Sequence, residues 1–410
     1  MILREPLRLP VEVIEVDGFP KVLAGNVPVT PINVALKYKV ENRGATKASI
    51  ETYTRAACLF VEFSAHRGRS LVEVTDEEFR WFTQALQGHS FPGVDGTHKF
   101  LRGQRKERTA DLMITLLYSL AAELNEIYGL KLDWYRYRGA SDELVKIIRA
   151  TRSGRPIPFR RAHSVPFTPR KVLPLPDDMF NLLLRTAYER WGDIIADGDK
   201  AYAPNPEKQR GALFCRNTVI LLALRFEGAR RSETPFITLE DIDRERSVIR
   251  LVTKGRGGES GNRLPVVLNP LVEQGFWIYE TRFRPKTEFN SVRGYPVLVN
   301  HGTRNYGKKI SAQCVRKVID ALRDCLPSPW DERVTPHTLR HSFSVDLQKE
   351  GGEAIAMVNM RHASLLSLNS YFASPEAFSD KLLGSSDKNL SEMLARIGIP
   401  VPDWAKVQRV

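Results

Sequence analysis

The segment His337-Thr338-Leu339-Arg340-His341 carries an imidazole and a guanidinium three residues apart. On a helix that spacing places both on one face, where they can grip a single phosphate. Thr335 suits an N-cap and Pro336 the first helical position, so a helix is expected to begin there. Downstream come His362 and then Tyr371, a phenol able to act as nucleophile on a phosphate held by such a clamp. Upstream, Glu227-Gly228-Ala229-Arg230-Arg231-Ser232-Glu233 follows an apolar helical run from Leu213 to Phe226. Ser247 to Thr253 then reads as a strand, Lys254 opens a Gly-rich turn, and Arg263-Leu264-Pro265-Val266-Val267-Leu268 reads as the return strand.

A phosphodiester resists attack because its anionic oxygens repel nucleophiles and its transition state concentrates charge. Two guanidiniums can bind the non-bridging oxygens as planar forks, and they stay charged at any working pH. Arg340 is one; the other is Arg230 or its neighbour Arg231. A tyrosine ionises near pH 10, so Tyr371 needs cations that favour the phenolate and a base that takes its proton. His337 is placed to be that base.

The ordered set Arg230, Lys254, His337, Arg340, His362 and Tyr371 resembles the tyrosine recombinases, also called the phage-integrase family. Their patterns look like G-x-R-x-S-E, a β-hairpin lysine, H-x-L-R-H, G-H and a final tyrosine, and the resemblance spans Lys171 to Pro375. Where relatives carry Leu-Gly-His, this chain has Met360-Arg361-His362. The family register favours Arg230 over Arg231. The resemblance implies that Lys254 is the general acid for the leaving 5′-oxygen and that His362 bonds the phosphate or buttresses Tyr371. It further implies that His341 supports the site through hydrogen bonds and that Glu233 holds the local helix or an arginine. The implied activity is DNA strand breakage and rejoining through a 3′-phosphotyrosine, with no metal, ATP or other cofactor. The implied partners are duplex DNA, three further copies in a homotetramer on DNA (a monomer when free), and accessory proteins of a mobile element. A type IB topoisomerase and a catalytically inactive DNA-binding relative are the alternative readings.

The elements that must position this set follow from the rest of the chain. The implied fold is mainly α with a small antiparallel β-sheet, a two-domain DNA clamp in which a helical core-binding domain precedes a mixed α/β catalytic domain. Residues 1–43 read as an N-terminal arm or small β-like segment. Residues 44–150 read as the helical domain, with runs at Thr46 to Ala65, Thr109 to Tyr128 and Ser141 to Ala150. Thr75-Asp76-Glu77-Glu78 is a capping box, and Gly88 a stop. Residues 151–171 form a basic, proline-rich linker whose Arg152, Arg155, Arg160, Arg161, Arg170 and Lys171 are expected to track the DNA backbone. Residues 172–375 are the catalytic domain, with a long loop at 191–210. Residues 376–410 are a C-terminal tail with one helix, Asn389 to Ile397, which either docks on a neighbouring subunit or packs on its own domain.

Composition agrees with a polyanion partner: the formal net charge is +13, and the isoelectric point is about 9.6. Cys58, Cys215, Cys314 and Cys325 form no C-x-x-C pair and read as free, mostly buried thiols of a reducing compartment. No apolar run reaches the length of a membrane span, and the N-terminus lacks the apolar core of a signal peptide. A cytoplasmic protein, associated with the bacterial nucleoid when bound, is expected.

Overall fold

The computed structural model describes residues 5–138, 140, 161–165, 173–252, 263–288, 292, 294–360 and 389–406. The chain divides into two units, Met1–Arg170 and Lys171–Val410.

The N-terminal unit opens with a hairpin. Val11–Val16 pairs antiparallel with Phe19–Ala24, joined by Asp17 and Gly18, both at positive φ (54° and 73°). Two such residues turn a hairpin with the twist its strands prefer. Val27–Pro28 adds a short third strand. The helix Thr30–Glu41 follows, with Pro31 in its first turn and Ile32, Ala35, Leu36 and Lys39 buried at helical spacing. Within 1–43, read as an arm or small β-like segment, the structure thus has three short strands and, unexpected from the sequence, this helix. Val22, Ala24, Val29, Ile32 and Leu36 lie in the same core as Phe60, Phe63, Phe79, Phe82 and Trp134, so the segment is integral to the unit.

Three further helices, Lys47–His66, Asp76–Leu86 and Glu107–Tyr128, complete the described part of that core. The Asp76–Leu86 helix begins as its sequence dictates. Thr75 Oγ1 accepts the Glu78 N–H at 3.2 Å, and Glu78 Oε2 accepts the Thr75 N–H at 3.1 Å. Its Phe79 stacks on Trp134 with centroids 4.2 Å apart. Ser141 to Ala150 lies outside the described residues.

The C-terminal unit is arranged about the helix Ala212–Phe226, nearly every residue of which is buried. The helices Asp177–Trp191, Pro270–Ile278, Ala312–Arg323, Pro336–Asn359 and Leu390–Arg396 belong to the same unit. Its one sheet among the described residues has three antiparallel strands, Ile242–Asp243, Val248–Val252 and Arg263–Val267, in that order. Leu390, Met393, Leu394 and Ile397 share the core of their own unit, so this helix takes the second of its two expected dockings.

The 191–210 segment is more ordered than a loop. It contains the helix Asp197–Tyr202 and a 3-10 turn at Pro206–Gln209. Asp199, fully buried, pins it: His301 Nδ1 lies 2.9 and 3.0 Å from the two carboxylate oxygens, and His301 Nε2 lies 3.0 Å from the Tyr279 hydroxyl. A neutral imidazole satisfies this chain, its Nδ1–H donating to Asp199 and its Nε2 accepting from Tyr279. A Cβ on Gly198 would sit 2.3 Å from the His301 carbonyl oxygen, so only glycine allows the approach.

Burial holds the His301 imidazole below its ordinary value of 6.5, with Asp199 opposing. Burial depresses His66 and His163 likewise. Each such group binds its proton more readily in the unfolded chain, so its stabilisation is complete above about pH 6.5 and declines as the pH falls toward the folded value. The melting temperature is expected to hold near pH 7.5 and to drop toward pH 5.5, roughly, when followed by circular dichroism. A flat profile across that window would contradict the burial of neutral histidines.

Candidate active site

The turn that ends the Ala212–Phe226 helix requires glycine. Gly228 has φ +54°, and a Cβ there would lie 2.5 Å from Phe343 Cδ1 and 3.3 Å from Met360 Sδ. Arg230 follows with its side chain 26% exposed. Buried Glu233 fixes it twice: Oε2 accepts the Arg230 backbone N–H at 2.7 Å, and Oε1 pairs with the guanidinium. Arg231 is exposed. Of the two neighbouring arginines, Arg230 is the one that Glu233 orients.

The Pro336–Asn359 helix starts at a reciprocal cap. Thr335 Oγ1 accepts the Thr338 N–H, Thr338 Oγ1 accepts the Thr335 N–H, both at 3.2 Å, and Thr338 Oγ1 donates to the Arg333 carbonyl at 2.8 Å. Beyond it His337 is exposed, Leu339 and Arg340 are buried, and His341 is half-buried. Arg340 is 5% exposed. Its Nη1 donates to the carbonyl of Gly228 and its Nη2 to that of Met360. Since Gly228 stands two residues before Arg230, one guanidinium ties the His337/Arg340 helix to the Arg230 turn. The rigid planar fork of arginine suits two carbonyls at once.

Two more ties fix the same corner. Arg225 donates to Asp346 on the His337/Arg340 helix at 2.5 Å and to Asp177 at 2.9 Å. Buried Glu227 accepts the Asn269 N–H at 2.7 Å, just past the return strand. In that hairpin Val252 pairs with Arg263, so 253–262 connects the strands. Arg230, Glu233, His337, Arg340 and His341 thus sit on two elements joined by direct hydrogen bonds. Lys254, His362 and Tyr371 lie outside the described residues. The described corner presents two arginines and an exposed histidine one helical turn from Arg340, a set suited to an oxyanion.

Residues 203–377 match the family model described as the phage integrase family. This segment is a phage integrase family domain. Among curated relatives, the tyrosine recombinase XerC of Pelotomaculum thermopropionicum is 28% identical over 172 residues, 41% of this chain and 52% of its own. The tyrosine recombinase XerD of Bifidobacterium longum is 30% identical over 174 residues, 42% of this chain and 54% of its own. The chain spans about half the length of the curated relatives it matches. Among solved structures, the XerH site-specific recombinase bound to a palindromic difH substrate aligns at a TM-score of 0.49 and 15% identity, covering 83% of this chain and 79% of that one. A lambda integrase tetramer bound to a Holliday junction aligns at 0.47 and 11%, covering 81% and 76%.

Outside the integrase domain, the expected DNA-tracking residues Arg152, Arg155, Arg160, Arg170 and Lys171 fall outside the described residues. Arg161 is described, and it is otherwise engaged. Its Nη2 lies 3.2 and 3.0 Å from the two oxygens of Asp111, and both side chains are mostly buried. Its assignment as a backbone-tracking residue is therefore corrected: an ion pair holds it to its own unit.

Sequence reading passed over a cationic surface on the N-terminal unit. Between His98 and Arg108 stand Lys99, Arg102, Arg105, Lys106 and Arg108 against the single acid Glu107. Arg102 is 87% exposed and Phe100 62%. The local density of basic residues around an exposed aromatic was the available signal. Of the four thiols, Cys215 is buried but Cys325 is exposed, so they are less uniformly buried than expected.

Gly228 offers the sharpest test of the described geometry. Gly228→Ala is expected to destabilise the chain by about 1–3 kcal/mol, through its positive φ and the contact with Phe343. Urea denaturation checks this, and an unchanged midpoint and slope would refute the packing of the turn.

Proposed function

We propose that the chain is a site-specific tyrosine recombinase that cleaves and rejoins duplex DNA. The observation that carries this reading is the Arg340–Gly228 hydrogen bond. It brings the His337/Arg340 helix onto the Arg230 turn inside a phage integrase family domain. The kinship with the Xer tyrosine recombinases supports it.

In this reading Arg230 and Arg340 neutralise the non-bridging oxygens of one phosphate. Charge neutralisation there lowers the barrier without requiring a metal ion. His337 takes the proton of the Tyr371 hydroxyl, whose oxygen then attacks phosphorus. The P–O5′ bond breaks as the Tyr371–phosphorus bond forms, and Lys254 gives its proton to the leaving 5′-oxygen. His362 bonds the phosphate or buttresses Tyr371, and His341 supports the site from behind. The phosphotyrosine conserves the energy of the broken ester, so a 5′-hydroxyl can reverse the step without ATP. Four copies acting on two paired duplexes complete an exchange, and accessory proteins of a mobile element are compatible partners. The N-terminal unit binds duplex DNA through the 98–108 surface, helped by Arg152, Arg155, Arg160, Arg170 and Lys171.

Two outcomes are expected. On a nicked suicide substrate carrying the element's own junction, in EDTA, wild type should form a denaturation-stable adduct and Tyr371→Phe should form none. An adduct with the phenylalanine variant would remove Tyr371 as nucleophile, and no adduct with wild type despite specific binding would leave a DNA-binding protein without turnover. Separately, replacing Arg102, Lys106 and Arg108 with glutamine should weaken binding uniformly across sequences. The slope of log affinity against log salt should become shallower by roughly 0.9 for each phosphate that the variant no longer neutralises. An unaltered slope would exclude that surface from the interface.

A further inference from the structure

The pairing of Arg161 with Asp111 is one of several bonds that sew 161–165 onto the N-terminal unit. The Val165 N–H donates to Asp111 Oδ1 at 3.1 Å, and the Ala162 N–H donates to the Arg136 carbonyl at 3.0 Å. His163 Nε2 lies 2.8 Å from Asp76 Oδ1, with its ring 5.0 Å from that of Phe79. Val165 is 4% exposed, within the unit's core. Asp111 belongs to the Glu107–Tyr128 helix and Asp76 to the first turn of Asp76–Leu86, so two helices hold the strap. On the far side of the connection, Leu175 is 2% exposed in the core of the C-terminal unit, and its N–H donates to Ser342 Oγ at 2.7 Å.

These two buried residues define how much chain joins the units. Between Val165 and Leu175 run only residues 166–174. Covalent geometry caps their reach at roughly 36 Å. Were 161–165 released, the last buried anchor before the junction among the described residues would be Trp134, which is 2% exposed. The cap would then rise to roughly 150 Å.

We propose that Asp111 and Asp76 are positioning residues: by fastening 161–165 they shorten the connection between the two units and so raise the effective concentration of one on DNA held by the other. A strap closed by one ion pair in which Arg161 Nη2 reaches both Asp111 oxygens, one histidine–carboxylate bond and one buried valine is a built attachment. Its effect on DNA binding rests on the recombinase reading; the fastening itself does not.

The full chain tests it. Asp111→Ala and the milder Arg161→Ala are compared with wild type, and with an otherwise wild-type chain carrying a Gly/Ser insertion after Lys171. Small-angle scattering should show the maximum dimension growing by on the order of 20 Å in both the released and the inserted proteins. Apparent affinity for a full duplex site should fall about five- to tenfold in both, while the adduct-forming rate at saturating DNA stays that of wild type. A purely structural role would not be reproduced by the insertion. Scattering from folded Arg161→Ala and Asp111→Ala that overlays wild type would overturn the proposal. If no protein, wild type included, forms an adduct, the recombinase reading fails, and the scattering comparison still decides the strap.

Discussion

The Arg340 guanidinium is the keystone of the C-terminal unit. It is buried, permanently charged, and bonded to the carbonyls of Gly228 and Met360. A buried charge without such partners would be strongly unfavourable, so the fold must deliver both carbonyls to it. One comes from a turn that only glycine can make, the other from the far end of the helix that carries Arg340 itself. The placement of Arg230 is a consequence, because the turn that satisfies Arg340 also sets where Arg230 begins.

The Ala212–Phe226 helix transmits that constraint to its neighbours. Arg225 reaches two other helices, and Glu227 reaches the end of the hairpin sheet. Each contact pairs a buried or half-buried ionic group with a specific donor or acceptor. Such groups select one arrangement more than they add net stability, since an alternative packing would strand a charge. The apolar core supplies cohesion, and these polar bonds supply register.

What the sequence made legible was local. Thr75 with Glu78 and Thr335 with Pro336 mark helix starts within a few residues, and Val248–Val252 with its return strand is a short-range pairing. The helix Thr30–Glu41 was obscured because neighbouring valines suggested strands, while its own apolar spacing is read only once the core is known. Non-local partners were invisible. Asp199 meets His301 from a hundred residues away, and Arg161 meets Asp111 from fifty, both through a fold that pairwise spacing does not encode. Arg161 was read as a DNA contact because a basic run looks solvated until its acid is seen. The choice between Arg230 and Arg231 likewise turned on Glu233, which could orient either one until the turn was traced.

One bond near the start of the C-terminal unit has a mechanical consequence. The Leu175 N–H is held by Ser342, two residues beyond Arg340 on the same helix. Ser342 is itself fastened to the Thr338 carbonyl one turn back. Tension along the incoming chain is therefore delivered straight to the helix that presents His337 and Arg340, with no slack loop between. A pull on the polypeptide and the aim of the His337 and Arg340 side chains are in series, so load is a variable to which this helix is exposed.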